Sequence, residues 1–114
     1  MTTTVIVSAG PCGITSKITA QLLDPQAKNN SAKLLKSSIK LSVETSCNEV
    51  IKLIEDIKEF KVMDLFKNFL SNPIYIAASR NLKHVTCPVP SAILKAIEVE
   101  AGFAVKRDVE MRFL

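Results

Sequence analysis

The chain has 114 residues, 47% of them hydrophobic, which is the size of one domain that can bury a core without disulfide staples. Its formal charge is +4, but the lysines are spread from Lys17 to Lys106 among Glu and Asp, and with one Tyr and no Trp it lacks the clustered cations and stacking aromatics of a nucleic-acid face. No run approaches the roughly 18 apolar residues of a spanning helix, so a single domain, residues 1–114, with neither membrane nor nucleic-acid partner is expected.

Thr2 to Ser8 is β-branched and apolar up to the break at Gly10-Pro11, which predicts a short strand. From Ile14 to Leu22, the residues Ile14, Ile18, Ala20 and Leu22 share one parity. Thr15, Lys17, Thr19 and Gln21 take the other, as in a half-buried strand. Asp24-Pro25 and Asn29-Asn30-Ser31 supply turn chemistry. A third strand follows, with Leu35, Ile39, Leu41 and Val43 inward and Lys36, Ser38, Lys40 and Glu44 outward.

At Cys47 the period changes from two to 3.6, and Val50, Ile51, Ile54 and Ile57 form the apolar face of a helix. Ser46 and Glu49 are spaced as a capping box, which makes Cys47 the first helical residue. The series Lys52, Glu55, Asp56, Lys58 and Glu59 is its solvated face. Further helical pieces are predicted around Asp64 to Leu70, and from Pro73, behind an Asn72 cap, to about Leu82.

A last helix starts near Pro88 or Pro90, with Ile93, Leu94, Ile97 and Ala101 on one face and Lys95, Glu98 and Glu100 on its polar side. Gly102 ends it. Val109, Met111 and Phe113 then alternate with Glu110 and Arg112, which predicts a closing strand. The expected fold class is α+β: an antiparallel sheet of three N-terminal strands plus a C-terminal strand, with helices packed on one face.

The chemistry concentrates at the chain breaks. Cys12 lies in Pro11-Cys12-Gly13, Cys47 follows Thr45-Ser46, and the only histidine, His84, precedes Cys87 by three residues ahead of Pro88. In an antiparallel meander the end of the first strand and the end of the third lie at the same end of the sheet, so Cys12 and Cys47 can meet. Cys47 and Cys87 both fall at helix starts, where unpaired amides favour thiolate.

Three thiolates with a neutral imidazole suit tetrahedral zinc and an iron–sulfur cluster equally well, so the cofactor stays open between the two. An odd number of cysteines does not suit a disulfide framework. With no basic leader ahead of the short apolar run, a cytoplasmic protein with reduced thiols is expected.

Two other readings stand beside this one. The cysteines can be inert fillers of a metal-free structural or interaction domain, or Cys47 can act as a nucleophile with Cys87 as resolving thiol and His84 as base. No hydrolase, P-loop or dinucleotide motif marks the chain as an enzyme.

Two resemblances follow from these residues. Cys12-Gly13, Ser46-Cys47 and the run His84-Val85-Thr86-Cys87-Pro88-Val89-Pro90-Ser91-Ala92-Ile93-Leu94-Lys95-Ala96 resemble a group of small uncharacterised proteins of methanogenic archaea and anaerobic bacteria, over nearly the whole chain. The order Cys12-Gly13, Cys47, and His84 with Cys87 is more distantly similar to the U-type iron–sulfur cluster scaffolds, NifU and IscU.

The second resemblance implies a SufE/NifU-like fold and Cys12, Cys47, Cys87 and His84 as ligands of zinc or a [2Fe–2S] cluster. It also implies a protein partner for transfer. Ile14 stands where the scaffolds carry Asp, Asn48 follows Cys47 where glycine is common, and His84 is separated from Cys87, departures that suit a retained metal better than a donated one.

Overall fold

A computed structural model describes residues 2–114. The β-branched segment Thr3–Ser8 (β1) pairs antiparallel with Thr15–Leu22 (β2), in a register running from Thr3 opposite Ala20 to Ser8 opposite Thr15. The alternation expected in β2 holds, with Ile18, Ala20 and Leu22 buried and Lys17 and Gln21 exposed. Ser16 also lies on the buried side, where its hydroxyl shares a 2.8 Å hydrogen bond with that of Thr45.

Ser38–Glu44 (β3) pairs with β2, and Glu59–Lys61 (β4) pairs with β3, so the order is β1-β2-β3-β4 and every pairing is antiparallel. The helices cover the face that carries Ile18, Ala20, Leu22, Ile39 and Leu41, which makes the protein α+β as its change of period implied.

Two strands differ from expectation. The third begins at Ser38 rather than at Leu35, because the Asn30 side chain accepts hydrogen bonds from the amides of Ala32 and Lys33 at 3.0 and 3.2 Å. That cap starts a short helix, Ser31–Lys36 (α1), and makes the alternation of Leu35 with Lys36 part of one helical turn. The fourth strand is β4 rather than the segment around Val109 to Phe113, which has no regular structure and is exposed. Three residues are too few to display a period, yet β4 buries Phe60 opposite Ile39.

The remaining helices are Asn48–Ile57 (α2), Pro73–Asn81 (α3) and Val89–Ala101 (α4). α3 starts as predicted: the Asn72 side chain accepts from the Ile74 amide at 3.0 Å, and Pro73 takes the first helical position. The helix expected around Asp64 to Leu70 is a single 3₁₀ turn, Val62–Phe66. α2 buries Val50, Leu53 and Ile54 against β3 and α3, with Ile51 only half-buried.

α4 crosses β1 and β2 through Ile93, Ala96, Ile97 and Ala101, then stops at Gly102. Gly102 adopts φ 85°, and the amides of Gly102 and Phe103 donate to the carbonyls of Val99 and Glu98 at 3.1 and 2.9 Å. Glu100, expected on the polar side, is fully buried. Its Oε1 accepts from the Thr3 hydroxyl at 2.8 Å and its Oε2 from the Leu22 amide at 2.9 Å, so one carboxylate ties the start of β1 and the end of β2 to the end of α4. No helix among the described residues is long and apolar enough to cross a membrane.

Candidate functional site

The register places Ser8, Thr15 and Glu44 at one end of the sheet, and the starts of α2 and α4 lie at that end too. Each candidate ligand sits on a local structure that its sequence specifies. Gly10-Pro11-Cys12-Gly13 forms a β-turn closed by the Gly13 amide donating to the Gly10 carbonyl at 2.8 Å, with Pro11 at the second position and Cys12 at the third. Gly10 and Gly13 both have positive φ, 84° and 69°, so this turn depends on glycine at both ends.

His84-Val85-Thr86-Cys87 is a second turn, closed by the Cys87 amide and the His84 carbonyl at 3.1 Å. It holds imidazole and thiol at its two ends, so their three-residue spacing becomes proximity.

Cys47 is the cap of α2 rather than its first helical residue, and the expected capping box is not formed. The Cys47 amide instead donates to Thr45 Oγ1 at 3.1 Å, and that oxygen is bound to Ser16 of β2. These bonds fix the Cys47 backbone while its sulfur takes no part in capping. Glu49 reaches across to accept from the Lys83 amide at 2.8 Å, which fastens the segment carrying His84 and Cys87 to the first turn of α2.

All four predicted residues line one cavity of about 410 Å3, whose lining also includes Ile14, Ser16, Val50, Leu82 and Val89. Cys12 and His84 are exposed at its rim, whereas Cys47 and Cys87 are partly buried. The Cys87 thiol is held above its ordinary pKa. Burial is the largest cause, opposed by a backbone hydrogen bond at Val89 and reinforced by the nearby Cys47 and Cys12 thiols and Glu49. The helix start therefore does not activate Cys87 as expected: apolar burial and like charge outweigh the amide.

Among the described residues, no three His, Cys, Asp or Glu side chains are already drawn together closely enough to hold a metal ion. The four residues share a cavity without forming a closed ligand set. Glu49 and the Ser16–Thr45 pair were not singled out as site residues from the sequence. A carboxylate two residues past a helix-capping cysteine is a usable signal, but its Lys83 partner lies far along the chain and only folding reveals it.

Fold and cavity together define a small α+β protein with three converging thiols at one end of its sheet. The chain belongs to a family of unknown function (DUF6951), whose pattern matches residues 3–113. No curated protein and no solved structure matches it.

Proposed function

We propose that the protein binds zinc or an iron–sulfur cluster through Cys12, Cys47 and Cys87, with His84 as fourth ligand. The observation that carries this reading is the convergence of all four residues, from three separate segments, on one cavity. Core filling does not account for Cys12, which is exposed, although the partly buried Cys47 and Cys87 also pack against the edge of the core. The Cys47 and Cys12 sulfurs lie near enough to Cys87 to help raise its proton affinity, a penalty on its thiolate that a bound cation reverses.

The donor set suits either group. Cys12, Cys47 and Cys87 would supply thiolates and His84 an imidazole nitrogen, and a soft cation held there would lock three chain segments together. Because no closed set is preformed, binding requires the two turns bearing Cys12 and Cys87 to settle inward, and it displaces the proton on Cys87. Ile14, Val50 and Leu82 give the site part of an apolar lining.

A place in cluster assembly, with a protein partner for transfer, follows from the motif resemblance to the U-type scaffolds. Kinship with the proteins of methanogens and anaerobes rests on the same motifs, and reduced thiols of this kind belong in the cytoplasm. Thiol-redox chemistry at Cys47 is the less favoured reading, because burial and the neighbouring thiols hold its partner Cys87 above its ordinary pKa and so disfavour its thiolate.

The test is metal and acid-labile sulfide analysis of protein purified anaerobically from iron-supplemented cells. About one zinc per chain, or iron with matching sulfide, is expected, with loss in the Cys47→Ala and Cys87→Ala variants. Substoichiometric metal that neither substitution changes rejects the proposal.

A further inference from the structure

We infer that the segment after α4 is a β-strand whose partner is strand β1 of a second copy of the chain, so that two copies exchange these segments to form a symmetric dimer. Four observations carry this. Val109, Met111 and Phe113 fall on one parity and are 62%, 82% and 101% exposed, while Asp108, Glu110 and Arg112 occupy the other; Arg107 bounds this apolar run on its N-terminal side. A period-2 pattern of this kind is stable only when its apolar side is buried against a sheet layer. An isolated extended strand has no such layer.

The family pattern runs on to residue 113, past the end of α4, so this segment belongs to the shared domain and is not an appendage specific to one chain.

The sheet has an edge to receive it. Among the described residues β1 pairs with β2 alone, which leaves its outer backbone groups without a ladder partner. Its inward residues Val5 and Val7 are only half-buried although α4 packs beneath them, and Ile6 on the other face is 66% exposed. An added strand with Val109, Met111 and Phe113 facing inward would extend the apolar layer. Its Lys106, Asp108, Glu110 and Arg112 would extend the polar outer face that Lys17, Gln21, Lys40 and Glu44 already form. The other edge, β4, has three residues and turns at once into a 3₁₀ helix, too short for this segment.

The occupant comes from a second copy because of how the chain leaves α4. The left-handed turn at Gly102 sends Phe103 onto Phe66, with ring centroids 5.2 Å apart in an edge-to-face contact. Phe66 belongs to the turn that follows β4, the strand at the opposite edge from β1. No residue of the segment pairs with β1 of its own chain, and every residue from Gly102 to Leu114 is exposed. Ten extended residues span about 33 Å, enough to lie along a neighbouring edge. Reciprocal exchange uses the β1 edge of each copy once and closes as a two-fold dimer, without propagating into a fibre.

Sedimentation equilibrium in the presence of a chelator, which removes any metal bridge, tests the inference. The full chain is expected to run at twice the mass of one chain. A chain ending at Ala104 should run as a folded monomer that binds a synthetic peptide of residues 103–114. Val109→Pro in the full chain, which removes a ladder amide, should weaken dimerisation at least tenfold.

A full-length monomer at high micromolar concentration overturns the inference, including one whose closing segment is protected from amide exchange by docking on its own β1. A dimer that persists in both variants overturns it too. None of these outcomes depends on metal binding, so the two proposals stand or fall separately.

Discussion

At the scale of single residues, Cys87 shows how two local effects compete at one sulfur. A position just before a helix predicts a lowered thiol pKa, yet partial burial against the core and two neighbouring thiols push it the other way. The sign fixes the pH dependence. A thiol whose folded-state pKa is raised favours the protonated native state, so its contribution to stability is complete below the ordinary thiol pKa near 8.5 and is lost as pH rises above it. Alkylation of Cys87, followed by peptide mass analysis in metal-free protein, is therefore expected to be slow at pH 8 and to accelerate at higher pH than for a free cysteine peptide. A rate matching the free peptide across that range would remove the electrostatic part of the site description.

At the scale of elements, the joints between helices and strands decide how the cavity is built, and two carboxylates provide them. Glu49 joins the start of α2 to the turn of His84 and Cys87, and Glu100 joins the end of α4 to β1 and β2 at the other end of the sheet. Glu100→Ala leaves the Leu22 amide and the Thr3 hydroxyl without an acceptor in a buried site, and a loss of about 2–3 kcal/mol in denaturant unfolding is expected. Glu100→Gln keeps one of the two bonds and should lose less. Equal, negligible losses in both variants would show that water replaces the carboxylate. Neither joint is legible locally. Glu49 has the spacing of a capping box and Glu100 the parity of a solvent face, and in both cases a tertiary donor overrides the local pattern. The caps that did read correctly, Asn72 with Pro73 and Gly102, make their capping bonds within their own helix, so spacing along the chain was sufficient.

At the scale of the whole molecule, the candidate site depends on three segments meeting, so a bound metal is a cross-link between distant parts of the fold. Removing it with a chelator is expected to lower the melting temperature by several degrees or more, and the triple Cys12→Ser, Cys47→Ser, Cys87→Ser variant should melt at that lower temperature with or without chelator. If chelator leaves the wild-type melting curve unchanged, the cysteines are not stapling the fold. What the sequence determined by itself was everything set by period and by neighbouring residues: three leading strands, the helices α2, α3 and α4, the Gly-Pro-Cys-Gly turn, and the placing of each thiol at a chain break. Antiparallel order even put Cys12 and Cys47 at one end of the sheet. Tertiary structure alone decided that β4, with too few residues to show a period, would be the fourth strand, that Glu100 would be buried, and that the strand-like closing segment would find no partner within its own chain. Those outcomes depend on which surfaces meet across long separations, and alternation along a chain specifies a face to be covered without naming what covers it.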